Sequence, residues 1–544
     1  MTAHSSRMFL KGTLILAASG MIVKIIGTLN WIFLSRILGG EGIGIYQMGF
    51  PIYLMGLTLS SAGVPVAISI LTAEKIALSD YSGARRVFAL ARRLLFGTGV
   101  FFMLAIIFGA GWLLDSQIIR DGRVYWSLIA LAPAVFIVTY MSSMRGYLQG
   151  WQQMSPTALS EIAEQLLRVA AMLLFAFLLL PCGLEYGAAG ASMGAGVGAL
   201  AAFFVLLFFV RRLNKAQSMK FALAESIAGE SDLSIIKRIF RLALPIALSS
   251  VMLPLVANLD MIIVPWRLAA AGFNVHDATR LFGYLTGMAI PLVNLATLLT
   301  AALTVSLVPA IAQSRALGDK RAIIEKAATA FRIAIFVTMP AAVGLYLLAG
   351  PVARVVYNSP AAAEIIKITS GAVFFLGLHQ VSTGMLQGLG FTKIPAASMI
   401  VAAAAKVFLN WQLAAVPRLG ILGAGWATVA DISLAALLNM FFIWRNTGYF
   451  LEIKRLARVL LATAAMSAAI LPILRWGGDG GAWNLFLAFL AGAAVYISCA
   501  LFLGALPAKD INQIPIFGEF YAKTRKKAAG KNCTEIDFQK KQGR

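Results

Sequence analysis

Long apolar runs follow one another along the whole chain, divided by short polar stretches. Runs of about 20 residues, the length a helix needs to cross a bilayer, can be placed at residues 10–38, 44–72, 87–114, 125–148, 158–181, 190–210 and 238–264. They continue at 281–311, 333–350, 365–388, 394–416, 420–444, 457–475 and 483–505. The pattern predicts an all-α membrane protein of about 14 transmembrane helices. The first run continues to Leu38, too long for a secretory signal, so an uncleaved first span is expected.

Within this pattern short motifs recur at nearly one offset. Gly146–Gly150 (GYLQG) returns as Gly384–Gly388 (GMLQG), 238 positions later, and Pro156 is answered by Pro395. Ala73–Asp80 (AEKIALSD) matches Ala312–Asp319 (AQSRALGD) at 239, and Gly187–Gly190 matches Gly420–Gly423 at 233. The offset carries span 2 onto span 8 and spans 4 to 6 onto spans 10 to 12. The repeated unit is therefore six helices, and because six is even, the two halves share one orientation in the membrane. The expected organisation is an N-terminal six-helix lobe at 1–210, a cytoplasmic linker at 211–237, a second lobe at 238–450, an appended helix pair at 451–506 and a basic cytoplasmic tail at 507–544.

Composition confirms the class. Hydrophobic residues make up 60% and charged residues 13% of the chain, against about 25% charged in soluble domains. The net charge of +23 does not point to nucleic acid, because the Lys and Arg residues cluster in short segments between spans. With the N-terminus in the cytoplasm, inside segments hold 34 Lys and Arg, outside segments hold 8, and Lys24, Arg36, Arg168 and Lys406 remain in or beside spans. That asymmetry predicts a multi-pass protein of the cell membrane with both termini cytoplasmic and the tail against anionic phospholipid headgroups. Cys182, Cys499 and Cys533 form no CxxC pair, and His4, His276 and His379 are scattered. Neither a metal site nor a cofactor site is expected, and no Walker, kinase or hydrolase motif is present.

The candidate chemistry lies in the embedded charges. An ionised side chain at the centre of a membrane helix costs about 2.5–3.5 kcal/mol on insertion scales, so each must be paired, near an interface or facing water. Lys24, midway along span 1, reads as a cavity-facing cation or as the partner of a carboxylate. Arg36 is close enough to the span's outer end to snorkel. Glu161, Glu164 and Arg168 fall within about 60° on one helical face, and Glu164 and Arg168, four residues apart, can neutralise each other. Asp260 has no basic residue near it in its own span, so its partner must be another helix, a water or a cation. Asn30 aligns with Asp260 when Arg36 is brought onto Arg267. Asp431 is likewise isolated, and Lys406 stands 238 after Arg168. Lys24, Asn30, Arg168 and Lys406 are the candidate substrate-binding residues. Glu164, Asp260 and Asp431 are the candidate coupling or cavity carboxylates. Gly190, Gly194 and Gly198, at fourfold spacing, predict a close helix crossing.

Residues 145–169 (RGYLQGWQQMSPTALSEIAEQLLRV), 39–48 (GGEGIGIYQM) and 259–272 (LDMIIVPWRLAAAG) resemble the stage V sporulation protein B group. That group belongs to the multidrug, oligosaccharidyl-lipid and polysaccharide exporter superfamily and is similar to the lipid II flippases. The resemblance implies a V-shaped pair of six-helix lobes working by alternating access. It also implies a lipid-linked oligosaccharide or lipid II-like cargo moved from the inner to the outer leaflet for wall or spore-cortex synthesis, with the wall-synthesis machinery as a partner. In the lipid II flippases basic residues of spans 1, 2 and 8 face the cavity, and Lys24 matches the first of them. Residues 44–72 and 281–311 hold no charge, Thr286 standing near the span 8 position, which leaves Arg168 and Lys406 to complete a cationic set.

Two other readings compete. A cation-coupled multidrug antiporter of the same superfamily would use Asp260 or Asp431. A membrane glycosyltransferase would need a sizeable loop carrying catalytic carboxylates, and the loops are about thirty residues at most.

Overall fold

The computed structural model describes residues 3–61, 63–218, 230–476 and 481–505, and among these every regular element is helical. The helices are α1 (Ala3–Ser61), α2 (Val64–Ala77), α3 (Tyr81–Asp115), α4 (Val124–Gly150), α5 (Ser155–Leu179), α6 (Leu184–Ala216), α7 (Asp232–Ala270) and α8 (Val275–Gly283). A π turn at Tyr284–Ala289 leads into α9 (Ile290–Ala296) and α10 (Leu298–Ala316). Then come α11 (Lys320–Val355), α12 (Ala363–Thr369), α13 (Gly371–Gly388), α14 (Lys393–Leu413), α15 (Ile421–Thr447), α16 (Ile453–Trp476) and α17 (Ala482–Phe502). The tail at 507–544 and the centre of the linker lie outside the described residues, and with them the expected lipid contact.

Twelve helices are long and apolar enough to cross a membrane, or thirteen if the bent pair Pro360–Thr369 and Gly371–Gly388 is one span. The fourteen expected from the sequence differ at the start of the chain, where spans 1 and 2 run together. The backbone breaks there at Gly39, whose φ of 64° lies in the left-handed region that glycine enters at little cost. Short polar residues set other boundaries: the Asp80 carboxylate accepts from the Gly83 amide at 2.7 Å and Asn274 from that of Asp277 at 2.7 Å, each capping a helix start.

The chain forms two compact units. Among the described residues, one comprises those up to 298 with 349–372 and 396–435; the other comprises 299–348, 373–395 and those from 436 to 505. Within each, the repeated motif does the same work. In the first unit a methyl group on Gly146 would sit 2.5 Å from the Pro65 carbonyl oxygen, and one on Gly150 would meet Thr72 Cβ at 2.6 Å and the Ser69 carbonyl at 3.0 Å. In the second, Gly384 faces the Thr304 carbonyl at 3.3 Å, and Gly388 faces Ile311 Cβ and the Val308 carbonyl, both at 2.8 Å. Every partner is displaced by 238 or 239 residues, as the glycines are. GYLQG and GMLQG are thus the places where span 4 on span 2, and span 10 on span 8, pack backbone against side chain and carbonyl. Gly190, Gly194 and Gly198 do the same for α6, facing the carbonyls of Phe175, Arg168 and Glu164 at 2.4, 2.8 and 2.5 Å.

A further crossing joins the second part of α1 to α8. A methyl on Gly44 would lie 2.0 Å from the Thr279 carbonyl, and one on Gly283 would lie 2.0 Å from the Gly40 carbonyl. Adding 239 turns Gly44 into Gly283 and Gly40 into Thr279, so the two contacts exchange with each other, as contacts about a twofold axis do. Beside them the Gln47 side-chain amide donates to the Thr286 carbonyl at 2.9 Å, inside the π turn where the ordinary helical ladder is interrupted.

Charged residues cover this crossing. Arg123 donates to Asp121 and to Glu41, both at 2.7 Å, while His276 Nδ1 lies 2.8 Å from the same Glu41 oxygen and the Thr279 hydroxyl donates to Asp121 at 2.7 Å. Asp121 is 3% exposed. Burial alone would raise its carboxyl pKa, but the hydrogen bonds from Arg123 and Thr279 outweigh it and hold the group below the usual carboxylate range.

Two predictions follow from these contacts. Gly283→Val in purified protein lowers thermal stability by about 1–3 kcal/mol, the usual penalty of overpacking. Gly122→Ala, which meets nothing within 4 Å, stays within about 0.5 kcal/mol of the parent; equal effects would contradict the crossing. Because Asp121 is more acidic when folded, its contribution is present above its unfolded value of about 3.9 and is lost as pH falls through the folded value. Asp121→Asn therefore destabilises the protein at neutral pH and flattens the acid limb of a thermal-stability profile, and an unchanged acid limb would contradict it.

Candidate functional site

Two charged clusters lie inside the helices of the first compact unit, at equivalent points of the repeat. In the first, α5 presents Glu164 and Arg168 one turn apart, and the end of α4 brings in Arg145. The Glu164 carboxylate is shared: one oxygen accepts from Arg145 at 2.7 Å and the other from Arg168 at 2.5 Å. Arg145 Nε also donates to Ser160 Oγ at 3.3 Å. One negative charge thus answers two guanidinium groups. Both arginine side chains keep about a fifth of their surface accessible, and Arg168 lies within electrostatic reach of the Tyr46 and Tyr53 phenols.

The helix end that carries Arg145 is placed by the Gly146 and Gly150 contacts with α2, and α5 by Gly194 and Gly198, which let α6 ride on the Arg168 and Glu164 carbonyls. Backbone contact leaves these side chains little room to drift. On α1, Ser19 Oγ donates to Glu161 at 3.4 Å, and Lys24 is exposed and forms no ion pair among the described residues. Adding Lys24, Arg145 and Arg168 against Glu161 and Glu164 leaves an excess of one positive charge.

In the second cluster Lys406 Nζ donates to Asp260 at 2.6 Å, and Asn410 Nδ2 donates to the other Asp260 oxygen at 2.8 Å. Lys406 is 7% exposed. Asp431 lies within electrostatic reach of both charged groups. Here one ammonium group sits with two carboxylates and is hydrogen-bonded to one of them in a buried place, where breaking such a pair costs about 3–5 kcal/mol.

The structure therefore divides the candidate residues. Lys24 is exposed, and Arg168 keeps about a fifth of its side chain accessible while pairing with Glu164, as its spacing allowed. Lys406 is buried: its ammonium group is held by Asp260, which corrects its place in a free cationic set. Asp260 finds its partner on another helix, and Asp431 joins that group instead of standing alone. Asn30 is 5% exposed, its amide 3.6 Å from Met172 Sδ, so it borders the cluster without opening to it. Arg36 does not snorkel freely; it donates to the Val356 carbonyl at 2.8 Å and to that of Val355. Arg145 was missed as a candidate because it reads from sequence as one more basic residue at the inner end of a span. The signal was available: Arg145 precedes the close-packing Gly146, which fixes its helix end against the bundle. Among the described residues no group of three or more His, Cys, Asp or Glu could hold a metal ion, and Cys182 and Cys499 are unpaired.

The comparisons agree with this architecture. The family model described as polysaccharide biosynthesis protein matches residues 9–315, and the MatE model matches residues 285–412. Stage V sporulation protein B of Bacillus subtilis (strain 168) is 30% identical over 94% of this chain and 98% of its own length. The lipid II flippase MurJ of the same organism is 26% identical, over 92% and 96%. Among solved structures, a lipid II flippase MurJ in an inward closed conformation shares the fold with a TM-score of 0.67, at 14% identity over 90% of this chain and 98% of that one. A match through more than half the chain, a relative similar from end to end, and helices arranged as in a solved flippase converge: the chain belongs to the polysaccharide biosynthesis protein family, in its stage V sporulation protein B group.

Proposed function

We propose that the protein moves a lipid-linked sugar precursor, joined through a diphosphate, from the inner to the outer leaflet of the cell membrane. The observation that carries this reading is the charge balance around the shared carboxylate of Glu164: Lys24, Arg145 and Arg168 stand against Glu161 and Glu164, one positive charge more than these carboxylates neutralise. A charge retained at that depth has an insertion cost of about 2.5–3.5 kcal/mol. A cargo that brings its own negative charges offsets it. Guanidinium groups suit that role, because their planar donors match phosphate oxygens two at a time. The lipid tail stays in hydrocarbon while the headgroup passes through a hydrated cleft. In this reading two like-oriented six-helix lobes alternate about the glycine crossing of α1 and α8, and both termini face the cytoplasm. Wall or spore-cortex synthesis would consume the product, and the relatives' names support that setting.

The match of residues 285–412 to the MatE model favours a second reading, a cation-coupled multidrug antiporter with Asp260 as the coupling group. Against it, Asp260 already holds the Lys406 ammonium group at 2.6 Å, so the place an exchanging cation would take is filled from within the chain.

The test is complementation of a flippase-deficient strain. At normal protein levels Lys24→Ala and Arg168→Ala each reduce activity about tenfold or more, the loss of one charge-assisted contact of about 1.5–3 kcal/mol. Asp431→Asn, in the second cluster, changes activity less than either. Full complementation by both cation variants would contradict the proposal, and so would drug resistance that depends on Asp260.

A further inference from the structure

The repeat allows the two clusters to be superposed residue by residue. Arg168 and Lys406, and one turn further on Met172 and Asn410, are each separated by 238 positions. Asn30 Nδ2 lies 3.6 Å from Met172, and Asp260 accepts from Asn410 at 2.8 Å. Asn30 in the first half therefore stands where Asp260 stands in the second. In the second half that residue is a carboxylate and takes the Lys406 ammonium. In the first it is the isosteric amide, which carries no charge. Asn30 Oδ1 and Arg168 Nε each make no hydrogen bond among the described residues, and Arg168 turns instead to a carboxylate it must share.

We infer that Asn30 is a specificity-determining positioning residue: by being an amide where the repeat has an aspartate, it keeps Arg168 without a private counter-ion and so available to an anionic headgroup. This deepens the proposed function and rests on it. Asn30 itself is buried and touches no cargo. Its effect acts through Arg168, and Asp260 takes, beside Lys406, the electrostatic role that a cargo phosphate takes beside Arg168. Asparagine and aspartate are the same size, so at this one position the two halves differ in charge and not in bulk.

The experiment uses full-length protein in lipid nanodiscs and undecaprenyl diphosphate as the probe. Asn30→Asp weakens its binding about tenfold, a difference of about 1.4 kcal/mol, while Asn30→Ser, which adds no charge, weakens it much less. Glu164→Gln has the opposite sign and tightens binding, and it remains informative if Asn30→Asp does not fold. Combined, the two substitutions return binding toward the parent value. A merely structural role would make each single change harmful and the pair worse, and that result overturns the inference. So does equal weakening by Asn30→Ser and Asn30→Asp. A second arm needs no ligand. The melting temperatures of Asn30→Asp, Arg168→Gln and their combination are non-additive if the new carboxylate engages Arg168, and additive if the inference is wrong. Failure of the parent protein to bind the probe, with coupling still present in this second arm, counts against the proposed function and leaves the place of Asn30 intact.

Discussion

Two guanidinium groups lean on one carboxylate in the N-terminal half of this membrane protein, and one ammonium group leans on one carboxylate in the C-terminal half. In water such a difference would mean little, since exposed ion pairs contribute about 0–1 kcal/mol. Among membrane helices each unanswered charge must find water or a visiting counter-ion. The arrangement of α4, α5 and α6 can be understood as the means of holding that imbalance in place. Glycines at 146, 150, 194 and 198 bring backbones into contact around it, and Ser160 and the phenols of Tyr46 and Tyr53 furnish a polar surround.

The same duplication that built two equivalent clusters let them diverge. Arg168 and Lys406 stand at matching places of the repeat, 238 residues apart, and differ in their partners: Arg168 shares Glu164 with Arg145, and Lys406 ties α14 to α7 through Asp260. A buried pair of this kind secures one arrangement of helices because any other leaves two charges unmatched.

Much of the fold was legible in the sequence because its determinants are local or repetitive. Apolar runs of span length announce themselves, and a glycine that must touch a carbonyl leaves the same mark each time the crossing recurs, as Gly146 and Gly384 do. The boundary between spans 1 and 2 was less clear, since Gly39 breaks a helix that otherwise runs on through both. Pairings across long stretches of sequence were the least legible. Asp260 and Lys406 are separated by 146 residues, and only the packing of α7 on α14 brings them together. Arg145 was overlooked for a related reason: an arginine at the inner end of a span ordinarily faces headgroups, and only the return of α5 after Pro156 turns this one onto Glu164. Asn30 carried a signal in its alignment with Asp260, but its burial beside Met172 was not written in the periodicity.

The most direct test of the account is leaflet exchange by the reconstituted protein. Vesicles carrying it are loaded with a fluorescent lipid-linked sugar diphosphate in one leaflet, and its appearance in the other is followed with and without an imposed ion gradient. The account predicts faster exchange than in protein-free vesicles for the diphosphate-linked lipid, and none for the same lipid with an uncharged headgroup. Equal exchange of charged and uncharged lipids, or no exchange of either, would contradict it.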